Sequence, residues 1–124
     1  MTGIVVFAHG SRIESANQAV RDVAQRMAES GTDPVEPAFL ELGRPDLEDA
    51  VERLVSRGAA RIVVIPYFLT LGTHLQRDLP RLAAQAARRF PNVEVQVTSP
   101  LDGHPALLQA LLDRAAEASA GKSA

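Results

Sequence analysis

Four times along this chain, a short apolar run gives way to a stretch in which apolar residues recur at helical spacing. Gly3 to Ala8 is followed by Ala16, Val20, Val23, Ala24 and Met27. Pro34 to Leu40, whose prolines suit the start or edge of a sheet, is followed by Leu47, Ala50, Val51, Leu54 and Val55. Arg61 to Leu69 carries the strongest strand pattern and leads to Leu75, Leu79, Leu82 and Ala86, with Pro80 inside the stretch as a point of kinking. Val93 to Thr98 alternates at Val93, Val95 and Val97 and leads to Leu107, Leu108, Leu111, Leu112 and Ala115. Strand-helix alternation with short connections forces parallel strands, right-handed crossovers and helices on both faces. The expected fold is therefore α/β: a single three-layer αβα domain on a four-stranded parallel sheet. It should occupy residues 1–117, with 118–124 as a small, polar, flexible tail. Strand order is left open.

Local signals place the helix starts. Ser11 with Glu14, and Thr73 with Gln76, read as capping boxes, and Pro45 sits where a first helical residue would. On that reading the first strand ends at Ala8, turns through His9 and Gly10, and enters a helix at once.

Composition narrows the function classes. A formal charge of -2 leaves no basic face for nucleic acid. No apolar run approaches the ~18 residues of a membrane span, and Ile4 to Ala8 is too short, and without a cationic lead, for a signal peptide. Cysteine is absent, so thiolate metal sites and disulfides are excluded. The expected setting is cytoplasmic, with no nucleic-acid or membrane partner.

In a parallel sheet every strand-to-helix loop emerges at the carboxyl edge, where open α/β sheets bind their ligands. The first three loops bring His9, Glu41 and His74 to that edge. Two imidazoles and a carboxylate suit a divalent transition metal. Each residue also has an ordinary reading as a cap or dipole partner, and no H-E-x-x-H or C-x-x-C spacing adds weight. Arg12, Arg44 and Arg77 each follow three residues after one of them. Cations in a first helical turn oppose the dipole, at a cost of a few tenths of a kcal/mol each, so their placement points to an anionic ligand. Solvent screening of three surface cations is the equal alternative. Phe7, Phe39, Tyr67 and Phe68 near the strand ends read as core, with one or two able to line a flat apolar ligand, and His104, between Gly103 and Pro105, reads as a cap.

Taken together, His9-Gly10-Ser11-Arg12, Phe39-Leu40-Glu41-Leu42 with Pro45, and Pro66-Tyr67-Phe68-Leu69 with Gly72, His74 and Asp78 resemble the sirohydrochlorin chelatase family of the CbiX type. The resemblance runs from Gly3 to about Leu112 and implies half of a class II chelatase fold. It implies a lyase that inserts Co²⁺ or Fe²⁺ into sirohydrochlorin, a polycarboxylated tetrapyrrole, in cobalamin or sirohaem biosynthesis, without an organic cofactor. It further implies His9 and His74 as metal ligands and Glu41 as an acidic residue of the active site. Many members carry two copies of this unit, so a single copy implies the short form, a homodimer with its cleft near the subunit interface. Arg12, Arg44 and Arg77 would then hold substrate carboxylates. Ni²⁺ suits the same N/O ligands, so the metal is not specified. The rivals are a non-catalytic metal or tetrapyrrole carrier, which turnover would separate, and a His-dependent phosphoryl-transfer enzyme. The latter calls for Arg directly before the histidine, where this chain has Ala8. A nucleotide-binding flavodoxin-like domain lacks its glycine-rich loop here.

Overall fold

The structure is a computed structural model and describes residues 1–119. In chain order its elements are β1 (Thr2–Ala8), α1 (Glu14–Ser30), β2 (Val35–Phe39), α2 (Leu47–Ser56), β3 (Arg61–Pro66), α3 (Thr73–Arg89), β4 (Glu94–Val97) and α4 (Pro105–Ser119). The strands lie in the order β2-β1-β3-β4 and every pairing is parallel. The alternating α/β architecture expected from the sequence is the one observed, with β2 at an edge, where Pro37 is tolerated.

Register decides which side chains meet. Val5 lies opposite Val64, and Phe7 opposite Ala38, so these residues share one face. They form a core with Leu47, Ala50, Val51 and Leu54 of α2 and Leu79 and Ala86 of α3. Val6 and Ala8 point the other way and pack with Val35, Phe39 and the α1 residues Val20 and Ala24. Each fully buried Leu, Ile or Phe here contributes about 1.5–3 kcal/mol of transfer free energy.

Three helix starts differ from expectation. α1 begins at Glu14 rather than just after Ser11, because the Ser11 hydroxyl accepts from the Ile13 amide two residues on, at 3.0 Å. With the start delayed, Ala16 is exposed and the polar Asn17 is buried in its place. α2 is capped by Asp46, whose side chain accepts from the Asp49 amide at 2.9 Å, so Pro45 precedes the cap instead of opening the helix. α3 takes Gly72 as its N-cap, and the Gln76 side chain donates to the Leu71 carbonyl instead of closing a box with Thr73. β3 also stops at Pro66, short of Leu69.

α4 is the larger departure. It forms as the leucine spacing predicts, yet none of its residues is buried. The sheet is therefore covered by helices on both faces only over β1 and β2; over β3 and β4 the α1 side is left open. α4 runs through Ser119, past the expected domain end at 117, and the remainder of the expected tail lies outside the described residues. Among the described residues, no helix is long and apolar enough to cross a membrane.

Candidate functional site

The site begins where the β1–β2 ladder outlasts its strands. Leu40 donates its amide to the Ala8 carbonyl at 2.9 Å, and Glu41 to the His9 carbonyl at 3.1 Å. Residues from two different loops are thus held one step past the sheet as if still in register. The approach is so close that only glycine fits at position 10: its φ is +94°, and a Cβ there would lie 1.7 Å from the Glu41 carbonyl oxygen. The second loop is closed on itself by Phe39 donating to the Pro45 carbonyl at 2.9 Å. Leu42 within it holds a left-handed φ of 58°, a conformation that non-glycine residues adopt only where surrounding structure enforces it.

What enforces it is Asn17. This side chain, 2% exposed, accepts from the Ser11 amide at 2.9 Å and donates to the carbonyls of Ser11 and Leu42 at 2.9 and 2.8 Å. One buried amide therefore ties the loop of His9 to the loop of Glu41, with its donors and its acceptor all engaged. The sequence reading missed it. The available signal was the stripe Asn17, Val20, Ala24, at helical spacing with a polar residue where an apolar one belongs.

The outcome is a histidine-carboxylate pair. His9 Nε2 lies 3.7 Å from Glu41 Oε1, with both side chains more than half exposed, 54% and 57%. Two donors about 2.1 Å from one ion, at an angle of roughly 120°, would be separated by about this distance. His9 Nδ1 sits 3.2 Å from the Gly10 carbonyl. A proton on Nδ1 directed there leaves the Nε2 lone pair facing Glu41, the tautomer a metal ligand needs.

His74 occupies the second position of α3 and is exposed. The structure does not gather it with the other two: among the described residues no group of three His, Asp or Glu side chains is close enough to hold an ion. Of the three residues expected to converge, the structure brings His9 and Glu41 together and leaves His74 apart. Strand direction decides which edge a residue reaches, but the Tyr67–Gly72 loop decides how far along it. That loop is tied sideways, its Phe68 and Leu69 carbonyls accepting from Leu101 and Asp102 at 2.9 and 2.8 Å.

Arg12 and Arg44 lie on the loops ahead of α1 and α2, so they do not oppose those helix dipoles as expected; Arg77 alone sits within its helix. All three are exposed, and among the described residues none is paired with a carboxylate. Phe7 and Phe39 are core residues, while Tyr67 is exposed and Phe68 packs on Phe7 with ring centroids 6.3 Å apart. His104 caps α4, its Nδ1 accepting from the Ala106 amide at 3.0 Å, as expected.

The chain is similar to known proteins in sequence and in fold. A sirohydrochlorin ferrochelatase of Arabidopsis thaliana chloroplasts is 39% identical over 113 residues, covering 90% of this chain and 50% of the plant protein. A sirohydrochlorin cobaltochelatase of Saccharolobus solfataricus is 32% identical over 102 residues, 79% of each chain. Among solved structures, a CbiX protein of Marinobacter aquaeolei superposes with a TM-score of 0.87 at 26% identity, over 98% of this chain and 100% of that one. The sirohydrochlorin chelatase SirB of Bacillus subtilis in complex with cobalt gives 0.86 at 28% identity, over 94% of this chain and 50% of SirB. The chain thus spans about half the length of several of its relatives. The CbiX family model matches residues 3–118, taking in all three loops of the edge, and the chain belongs to the CbiX family.

Proposed function

We propose that this chain is a chelatase that inserts a divalent metal, Co²⁺ or Fe²⁺, into sirohydrochlorin. The observation that carries the reading is the His9–Glu41 pair, held at metal-ligand separation on an open carboxyl edge. The metal is substrate. His9 Nε2 and a Glu41 oxygen take it first, and His74, from the first turn of α3, is the third donor. Ligands must be deprotonated to bind, so neutral imidazole and ionised carboxylate are the working states. Insertion exchanges two pyrrole protons for the metal. Glu41, on release of the ion, accepts one of them, and the other passes to solvent at the open edge. Arg12, Arg44 and Arg77 offer guanidinium forks to the substrate carboxylates and so hold the macrocycle over the metal. None of these steps calls on an organic cofactor.

Support comes from the relatives' named activities as sirohydrochlorin ferrochelatases and cobaltochelatases and from SirB's complex with cobalt. The family's longer members have room for two such units, so the working form proposed here is a homodimer, with the cleft near the subunit interface. A cytoplasmic enzyme fits a chain without disulfides.

The test is anaerobic incubation with excess sirohydrochlorin and Co²⁺ or Fe²⁺, followed by visible absorption. Expected are multiple turnovers above the uncatalysed rate, abolished in His9→Ala and His74→Ala while far-ultraviolet dichroism is unchanged. Stoichiometric binding without turnover would make the protein a carrier. Wild-type rates in His9→Ala would remove the site assignment.

A further inference from the structure

Asn17 is the polar member of an otherwise apolar stripe, and its side-chain amide bonds to no group of the helix that carries it. Its neighbours on the inner face of α1, Val20 and Ala24, pack into the core with Val6 and Ala8. All three side-chain hydrogen bonds of Asn17 go instead to backbone groups of two loops, at Ser11 and Leu42. A buried amide costs stability unless each of its bonds is made, and here each is made to a loop.

Those loop groups stand beside the metal-site residues. Ser11 follows His9 by two positions, and Leu42 follows Glu41 directly. One nitrogen, Nδ2, donates to both carbonyls, so a single atom bridges the two loops. Gly43 lies flat against that amide: a Cβ there would stand 3.2 Å from Nδ2 and 2.9 Å from Cγ of the buried Phe39 ring. Nothing therefore fits between the second loop and its support. Arg21, one helical turn beyond Asn17, covers the Phe39 ring at 5.3 Å.

The pair itself has no comparable support at the surface. The His9 and Glu41 side chains are more than half exposed. Among the described residues their polar atoms meet only each other and, from His9 Nδ1, the Gly10 carbonyl. The position of the two backbones is what brings the side chains to one place.

On the metal-binding reading above, we propose that Asn17 is the positioning residue of that site. By holding the Ser11 and Leu42 carbonyls on one amide it sets the His9–Glu41 separation, and hence the affinity for the ion, without touching metal or macrocycle. Without it the two ligands sit on loops free to part, and the ion is held by one of them at a time.

Two measurements separate positioning from plain support of the fold. Hydrogen exchange of the metal-free protein reads the loops alone. The Glu41 amide, bonded to the His9 carbonyl at 3.1 Å, should exchange at least about tenfold faster in Asn17→Ala. It should keep its wild-type rate in Ile62→Val, a core change toward the amino end of the sheet, because a local opening does not follow a distant loss of stability. Anaerobic Co²⁺ titration of the same chains then closes a double-mutant cycle with Glu41→Gln. Asn17→Ala should weaken Co²⁺ binding about tenfold, the scale of losing a ligand's support, and Ile62→Val should leave it unchanged. Added to Glu41→Gln, Asn17→Ala should cost less than about a further twofold. Asn17→Ser, a smaller side chain that still donates and accepts, should fall between and serves where Asn17→Ala does not fold.

Losses that multiply in the double variant would overturn the assignment, since Asn17 would then act on the fold at large. An unchanged Glu41 exchange rate, or wild-type Co²⁺ affinity, in Asn17→Ala would overturn it too. Turnover of sirohydrochlorin on the same samples keeps the two readings apart. The expected exchange and cycle without wild-type turnover count against the chelatase alone, and turnover with independent losses counts against Asn17 alone.

Discussion

The carboxyl edge of this sheet is made of two pairs of loops, and the pairs are built differently. The loops after β1 and β2 are locked from within: a continued ladder holds Glu41 to His9, Gly10 permits contact with the Glu41 carbonyl, and buried Asn17 bonds to both loops. Among the described residues the loops after β3 and β4 are joined by backbone alone, and Tyr67, Leu69 and His104 on them, with His74 just beyond in α3, stand exposed. One pair is preorganised before any ligand arrives. The other leaves its side chains open to solvent. On the proposed chelatase reading, that division puts rigidity at the metal and leaves access for the macrocycle beside it.

The contrast can be broken most forcefully at Gly10. Gly10→Ala places a methyl inside the Glu41 backbone and demands a left-handed φ of alanine, so a loss of at least ~3 kcal/mol is expected in urea unfolding. Asn17→Ala should cost about 2 kcal/mol, since it strips partners from three backbone groups at once. Asn17→Asp keeps the acceptor for the Ser11 amide but turns a buried carboxylate oxygen on the Ser11 and Leu42 carbonyls, and should cost at least as much as Asn17→Ala at neutral pH. Leu42→Gly should stabilise by less than about 1 kcal/mol, because it relieves the left-handed residue but loosens the unfolded chain. His74→Ala, on the unlocked side, should leave the unfolding midpoint within about 0.5 kcal/mol of wild type while insertion is lost.

The same contrast explains what could be read from the residues alone. Strand-helix alternation and the parallel sheet were legible because period and connection length leave few alternatives. The edge that would hold His9, Glu41 and His74 followed from strand direction. The spacing across that edge did not, because it depends on how each loop is tied. Asn17 was passed over since a polar residue seldom belongs to a core stripe, and the α1 start was displaced by a hydroxyl bonding to Ile13 instead of to the helix. For α4, the leucine spacing announced a face that needs cover but was silent on whether the cover lies in the same chain.

On the proposed chelatase reading, His9 and Glu41 form the metal site before the macrocycle binds. An anaerobic Co²⁺ titration without tetrapyrrole, read by the ligand-field bands of bound cobalt, tests it directly. His9→Ala and Glu41→Gln should each weaken binding by about tenfold or more, the scale of losing a ligand or its support, and His74→Ala by clearly less. Equal loss in His74→Ala would contradict the account, because all three ligands would then act together from the outset, and unchanged binding in His9→Ala would remove its foundation.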